Sequence, residues 1–198
     1  MDTIDIKFKK LDPNAVIPSY AHEGDVGMDL TAIAMEYDEK NDVYIFHTGL
    51  AFESDFNIGQ FLFPRSSNRK TDSYLCNHVG IADSATYRGE IMLCFKNRTS
   101  IEERMTNLSN DYFFNTLANE LKSETEIKTA LLMAYKQKSL IFQDEDVKRA
   151  IAIENAPYQV GDRIAQMVFF RYPTVKLSET QELSQTERGY GGFGSSGK

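Results

Sequence analysis

The sequence predicts a mainly β protein, a sandwich or distorted jelly roll interrupted by one helical insertion, and three observations carry that expectation. Glycine and proline punctuate the chain up to Gly89 and again from Pro157 and Gly161, but neither occurs between. Short apolar runs on both flanks carry the β-branched and aromatic residues that favour strands. The unpunctuated gap instead shows apolar residues at helical spacing.

On the N-terminal flank, Val43 to Phe46 (VYIF) and Gln60 to Phe63 read as strands separated by turn residues. In the gap, Ile101, Met105, Leu108, Leu117 and Leu121 recur near 3.6-residue spacing, with Phe113 and Phe114 beside the stripe. Ser123 and Glu126 have capping-box spacing ahead of Ile127, Ala130, Leu131 and Ala134, and Asp144 to Ala152 predicts a further helix. Beyond it, Arg163 to Tyr172 (RIAQMVFFRY) is a strand closed by Pro173. The organisation expected is one domain over 1–198, a helical insertion over 99–156 and a flexible C-terminal arm over 178–198. The insertion's apolar stripe docks on its own subunit or offers a surface to a protein regulator.

Composition narrows the function. A chain of 198 residues, 41% hydrophobic, can bury a core as one domain. No run approaches the ~20 apolar residues that span a bilayer, and the first residues lack a signal peptide's apolar stretch, so a cytoplasmic protein with no membrane partner is expected. A net charge of −7 argues against nonspecific nucleic-acid binding. Cys76 and Cys94 lack CxxC spacing and read as buried, reduced thiols, and His22, His47 and His78 sit in no metal-binding pattern.

The segment Arg188 to Gly197 places five of the chain's twelve glycines within ten residues. Glycines admit backbone amides close to phosphate oxygens, and Arg188, Ser195 and Ser196 add charge and hydroxyl donors. Gly189, Gly191 and Gly194 fit GxGxxG, and Gly192 to Lys198 fits GxxxxGK, but neither has the helix those motifs require after it.

Five segments in order resemble the motifs of the homotrimeric dUTPases. They are Gly24 to Leu30 (GDVGMDL), Phe63 to Ser67 (FPRSS), Asn77 to Asp83 (NHVGIAD) with Tyr87 to Ile91 (YRGEI), Gly161 to Gln166 (GDRIAQ), and the glycine-rich tail. The resemblance covers all but the insertion and the extreme N-terminus. It implies a distorted jelly roll of the β-clip kind in a threefold trimer, with active sites at subunit interfaces and each C-terminal arm closing a neighbour's site. It implies hydrolysis of dUTP to dUMP and pyrophosphate, with Mg2+ held through the substrate phosphates rather than by protein ligands.

Roles follow position by position. Asp83 would orient and deprotonate the water that attacks the α-phosphorus. Asn77 would read the uracil edge, Gly80 would be among the substrate-binding residues, and Tyr87 would pack on the deoxyribose and exclude a 2'-hydroxyl. Arg65, Ser66, Gln166, Arg188, Ser195 and Ser196 would hold the triphosphate, Ser67 and Gly194 would also bind substrate, and Phe193 would stack over the base. Asp29 would organise either the metal's water shell or a neighbouring arginine. For Arg65 and Arg163 a structural ion pair is an equal reading.

Two departures and two rivals complete the expectations. The third motif has one extra residue between Asp83 and Tyr87, which a bulge or widened turn in a hairpin would absorb. The insertion is the second departure, and its excision over residues 100 to 155 is expected to leave a competent trimer. A dCTP deaminase shares the fold, but needs a glutamate where, aligned on Gly89, this chain has Cys94. A dUTPase scaffold serving as a regulatory binding protein through its insertion is the rival from another class.

Overall fold

The computed structural model describes residues 3–112, 145–187 and 189–190, with the side chains of 108–112 and 145–147 outside that description. Ten strands are described: β1 (Lys7–Lys10), β2 (Met28–Thr31), β3 (Ala34–Asp38), β4 (Val43–His47), β5 (Leu50–Glu53), β6 (Ile58–Pro64), β7 (Ser73–Leu75), β8 (Gly80–Ala82), β9 (Met92–Asn97) and β10 (Arg163–Arg171). A 3-10 helix, Ser66–Lys70, follows β6, and helices α1 (Ile101–Tyr112) and α2 (Glu145–Glu154) lie between β9 and β10.

The strands form two four-stranded antiparallel sheets, ordered β2-β10-β6-β8 and β3-β4-β9-β7, and a two-stranded β1-β5 pair. This is a mainly β, jelly-roll-like β-clip fold, as expected. In β4 and β9 side chains alternate in burial, so the facing pairs Tyr44 with Phe95 and Phe46 with Leu93 point into the core. Tyr158 closes on that cluster, its ring edge-on to Phe46 and Phe95. β10 is buried on both faces along Ile164, Ala165, Met167 and Val168, which is why it occupies a central position between β2 and β6.

The helical expectation holds at both ends of the gap. α1 begins where the stripe begins, and α2 runs two residues past the predicted Ala152. Leu117, Leu121, the capping box at Ser123 and Glu126, and the stripe after it lie outside the described residues. The roots of both helices belong to the core, since Ile101, Met105 and Ala152 are buried in the same apolar cluster as Phe46 and Ile164. Asp42 binds α1 tightly. Its carboxylate accepts from the Ile101 N–H at 3.1 Å and the Arg104 guanidinium at 2.9 Å, while Arg104 also donates to the Tyr44 hydroxyl at 2.7 Å. The Tyr44 hydroxyl in turn donates to the Ala152 carbonyl of α2 at 2.9 Å.

Two expectations are corrected. Cys76 and Cys94 are free thiols but half-buried rather than fully buried, because both face outward from positions that alternate with the core residues Leu75, Leu93 and Phe95. The segment from Asp83 to Ile91 is no hairpin: β8 pairs with β6 in one sheet and β9 with β4 and β7 in the other, so it crosses between sheets.

Candidate active site

The candidate site lies along one end of the β2-β10-β6-β8 sheet. Register sets Gln166 of β10 opposite Asp29 of β2 on one side and Phe63 of β6 on the other. The chain leaves β6 after Pro64, and Arg65 turns back across the sheet end. Its Nε donates to Asp29 Oδ1 at 2.9 Å, while Arg163, entering β10, donates to Asp29 Oδ2 at 2.9 Å. Asp29 therefore has both oxygens committed to guanidinium groups, and its side chain is only 10% exposed. Charge-assisted bonds of this kind, sheltered from water, hold side chains in fixed orientation.

Asp29 lies against both arginines, so the structural ion pair read for Arg65 and Arg163 is present. The two readings of those arginines do not compete. Two carboxylates, Asp29 and Asp162, stand with Arg65 and Arg163, so the cluster is formally neutral, but Arg163 remains more than half exposed and keeps donors beyond its bond to Asp29. Arg65 Nη1 also donates to Ser67 Oγ and to the Arg163 carbonyl, each at 3.2 Å. A cavity of about 320 Å3 lies here, lined by Arg65, Ser67, Tyr158, Gly161, Asp162 and Arg163. Tyr158 was not anticipated from the sequence. Its hydroxyl donates to Asn68 Oδ1 at 3.0 Å, tying the 3-10 helix that carries Ser66 and Ser67 to the core, and burial raises its phenol above the ordinary value. Only its place beside the fourth motif could have flagged it.

A second group forms on β8 and the crossover after it. Gly80 faces Leu62 of β6, and a Cβ there would stand 3.0 Å from Leu62 Cβ and 3.4 Å from Asn77 Nδ2, so the glycine lets Asn77 lie over the strand. Asp83 follows β8 directly. Its carbonyl accepts from the Thr86 N–H at 2.9 Å and the Tyr87 N–H at 2.7 Å, a widened turn that absorbs the extra residue. Tyr87 is about half exposed, and its hydroxyl donates to the Glu90 carbonyl at 3.1 Å. The ring occupies the space that a Cβ on Gly89 would need.

Among the described residues, no hydrogen bond, ion pair or ring contact joins the Asp29, Arg65, Ser67, Arg163 group to the Asn77, Asp83, Tyr87 group. Only the β6-β8 pairing connects them within one chain. The side chains of Ser66, Asn77, Asp83 and Gln166 have no hydrogen-bond partner among the described residues and are accessible to a ligand or water. Arg188, Phe193, Gly194, Ser195 and Ser196 lie outside the described residues. Cys94 of β9, the position a deaminase would need as glutamate, pairs with Ile45 of β4, and burial pushes its thiol up.

A family model described as dUTPase matches residues 13–104 and 150–197, more than two thirds of the chain, and leaves out 105–149. The deoxyuridine 5'-triphosphate nucleotidohydrolase of Nautilia profundicola is 30% identical over 194 residues, spanning 98% of this chain and 99% of that one. Among solved structures, a point mutant of the Staphylococcus bacteriophage 80alpha dUTPase with dUpNHpp matches with a TM-score of 0.59 at 22% identity, over 99% of this chain and 100% of that one. A point mutant of the dUTPase of S. aureus phage phi11, described with a structural Mg(II) ion, matches at 0.54 and 18%, over 90% and 97%. The matched segments contain every residue of both groups and the tail to Gly197, and on that ground the chain belongs to the dUTPase family.

Proposed function

We propose that this chain is a dUTP diphosphatase, hydrolysing dUTP to dUMP and pyrophosphate and so limiting the uracil available to DNA synthesis. The observation that carries this reading is the extent of the family match, which includes Asp29, Arg65, Asn77, Asp83, Tyr87, Gln166 and the tail while leaving out the insertion. The relatives it resembles bear the same nucleotidohydrolase name.

In the proposed mechanism Arg65, held by Asp29, together with Ser66, Ser67 and Gln166, receives the triphosphate. Asn77 offers an amide donor and acceptor to the uracil edge, and the Gly80 backbone lies beneath it. Asp83 accepts a proton from the water aligned on the α-phosphorus, and the α–β phosphoanhydride bond breaks to release pyrophosphate. Its carboxylate is exposed, has no partner among the described residues, and is therefore available to that water. Such catalysis is mainly positioning and electrostatic preorganisation.

Mg2+ fits this donor set as a companion of the substrate. Among the described residues no cluster of three or more His, Cys, Asp or Glu side chains is arranged to hold a metal, and both Asp29 oxygens already accept from guanidinium groups. Bound to the phosphate oxygens, the ion would neutralise charge on the triphosphate.

The separation of the two residue groups within one chain supports a site shared between subunits of a homotrimer, with the arm 178–198 of a neighbour supplying Arg188, Phe193, Gly194, Ser195 and Ser196. Residues 1–198 then act as a single domain carrying the insertion 99–156. No helix among the described residues is long and apolar enough to cross a membrane. The insertion docks on its own subunit through its helix roots, where Ile101, Met105 and Ala152 join the core, and docking of a protein regulator is the second reading.

Pyrophosphate release from dUTP, dCTP, dTTP and UTP tests the reading. dUTP is the expected preferred substrate, and Asp83→Asn is expected to lower kcat by about 10^3 while still binding a non-hydrolysable dUTP analogue. Wild-type activity in Asp83→Asn, or no preference for dUTP, would overturn it.

A further inference from the structure

We propose that Glu90 and His47 form a tether that positions Tyr87, and through it sets the preference for deoxyribose over ribose. The inference rests on the dUTPase reading above. Tyr87 sits in the crossover between β8 and β9, outside any strand, so no ladder of backbone bonds fixes its ring. What fixes it is the peptide that follows. The Tyr87 hydroxyl donates to the Glu90 carbonyl, and the ring lies where a Cβ on Gly89 would be, so the ring's place depends on where residues 89 and 90 are held.

Those residues are held through the Glu90 side chain. Oε1 accepts from the Gly49 N–H at 2.7 Å, and Oε2 stands 2.9 Å from His47 Nδ1. The next residue continues the seam: the Ile91 N–H donates to the Leu50 carbonyl at 2.8 Å, and the Thr48 hydroxyl donates to the Ile91 carbonyl at 2.6 Å. Glu90 and His47 are each about one-fifth exposed, sheltered enough for a charge-assisted bond to constrain both.

His47 is itself fixed on β4, between Ala34 of β3 and Met92 of β9. Its other nitrogen, Nε2, is inaccessible and makes no hydrogen bond, and it faces Glu36 Oε1 at 3.5 Å. The tether thus runs from the rigid β4-β5 corner, through His47 and the Glu90 side chain, to the one aromatic ring assigned to the sugar. A displacement of a positioning group by about 1 Å is enough to change selectivity strongly, and a 2'-hydroxyl needs room of that order.

The test is the ratio of kcat/KM for dUTP to that for UTP in wild type, Glu90→Ala, His47→Ala, the double variant and Glu90→Gln. Loss of folded enzyme lowers both substrates together and leaves the ratio untouched, so the ratio reads positioning alone. Glu90→Ala is expected to lower the ratio about tenfold, mostly by raising kcat/KM for UTP, with His47→Ala moving it the same way and the double variant no further. Glu90→Gln keeps an acceptor for the Gly49 N–H and should recover part of the ratio; together with His47→Ala it carries the test should Glu90→Ala fail to fold. Ratios equal to wild type in variants with reduced activity, or losses that multiply in the double variant, would overturn the tether. A wild-type chain that does not hydrolyse dUTP would instead overturn the functional reading beneath it.

Discussion

Asp29 and Asp83 are the same residue type put to opposite use by their neighbours. Asp29 is almost enclosed, each of its oxygens accepting from a guanidinium group of Arg65 or Arg163, whereas Asp83 is exposed and unpartnered among the described residues. The motif pattern located both aspartates, but it left the role of Asp29 open, because a carboxylate's partners come from strands far apart in sequence. The two thiols teach a related lesson. Their apolar neighbours suggested burial, yet strand alternation turns both outward. What burial remains raises both thiols above the ordinary value, with Cys94 adding to the effect at Cys76 and Asp38 adding to it at Cys94. A thiol that holds its proton longer when folded stabilises the fold fully below the ordinary thiol range and loses that contribution as pH rises through its folded value. Iodoacetamide labelling should therefore be slower in the native chain than in urea at pH 8.5, the gap narrowing at higher pH. Equal native and denatured rates at pH 8.5 would contradict it.

At the scale of elements, strands and helix roots were legible because period-2 and period-3.6 patterns report burial directly. Which sheet each strand joins was not, since β8 and β9 are near neighbours in sequence and pair into different sheets. The same limit applies to the insertion. The gap in glycine and proline marked it, but could not show where the core ends. Ile101, Met105 and Ala152 pack in the main apolar cluster, and Arg104 closes a nearly buried pair with Asp42. Breaking such a pair from one side costs roughly 3–5 kcal/mol, a large part of a domain's stability. Excising 100–155 removes all of these and is expected to prevent folding, contrary to the expectation from sequence. Excising 113–144 spares them, and should leave dUTP hydrolysis within about threefold of the full chain. Urea unfolding and pyrophosphate release on both deletions check this; a folded, active 100–155 deletion would show the helix roots to be dispensable.

For the whole molecule the decisive question is what completes the site. Within one chain the arginine group and the Asp83 group share no side-chain contact among the described residues. After β10 ends at Arg171, residues 173–187 form no strand or helix, and Leu177 and Leu183 are 90% and 86% exposed. Large apolar side chains left so open suit a segment that packs on another surface. Residues 172–187 can extend at most roughly 55 Å, several times the ~16 Å radius of gyration expected for a compact chain of this length, so Arg188 can reach a neighbouring subunit. A chain truncated before Arg188 keeps every described core contact. It should therefore sediment as the full-length protein does, a trimer on the function proposed above, with an unchanged urea midpoint. It should lose about 10^3 in kcat/KM for dUTP, because the charge and backbone donors that close on the phosphates are gone. Adding the truncated chain to Asp83→Asn subunits separates the alternatives: mixed trimers recover activity only if an intact tail from one subunit serves the Asp83 of another. Recovery points to arms exchanged between subunits, and its absence, with mixed trimers verified, to a tail that folds back on its own chain.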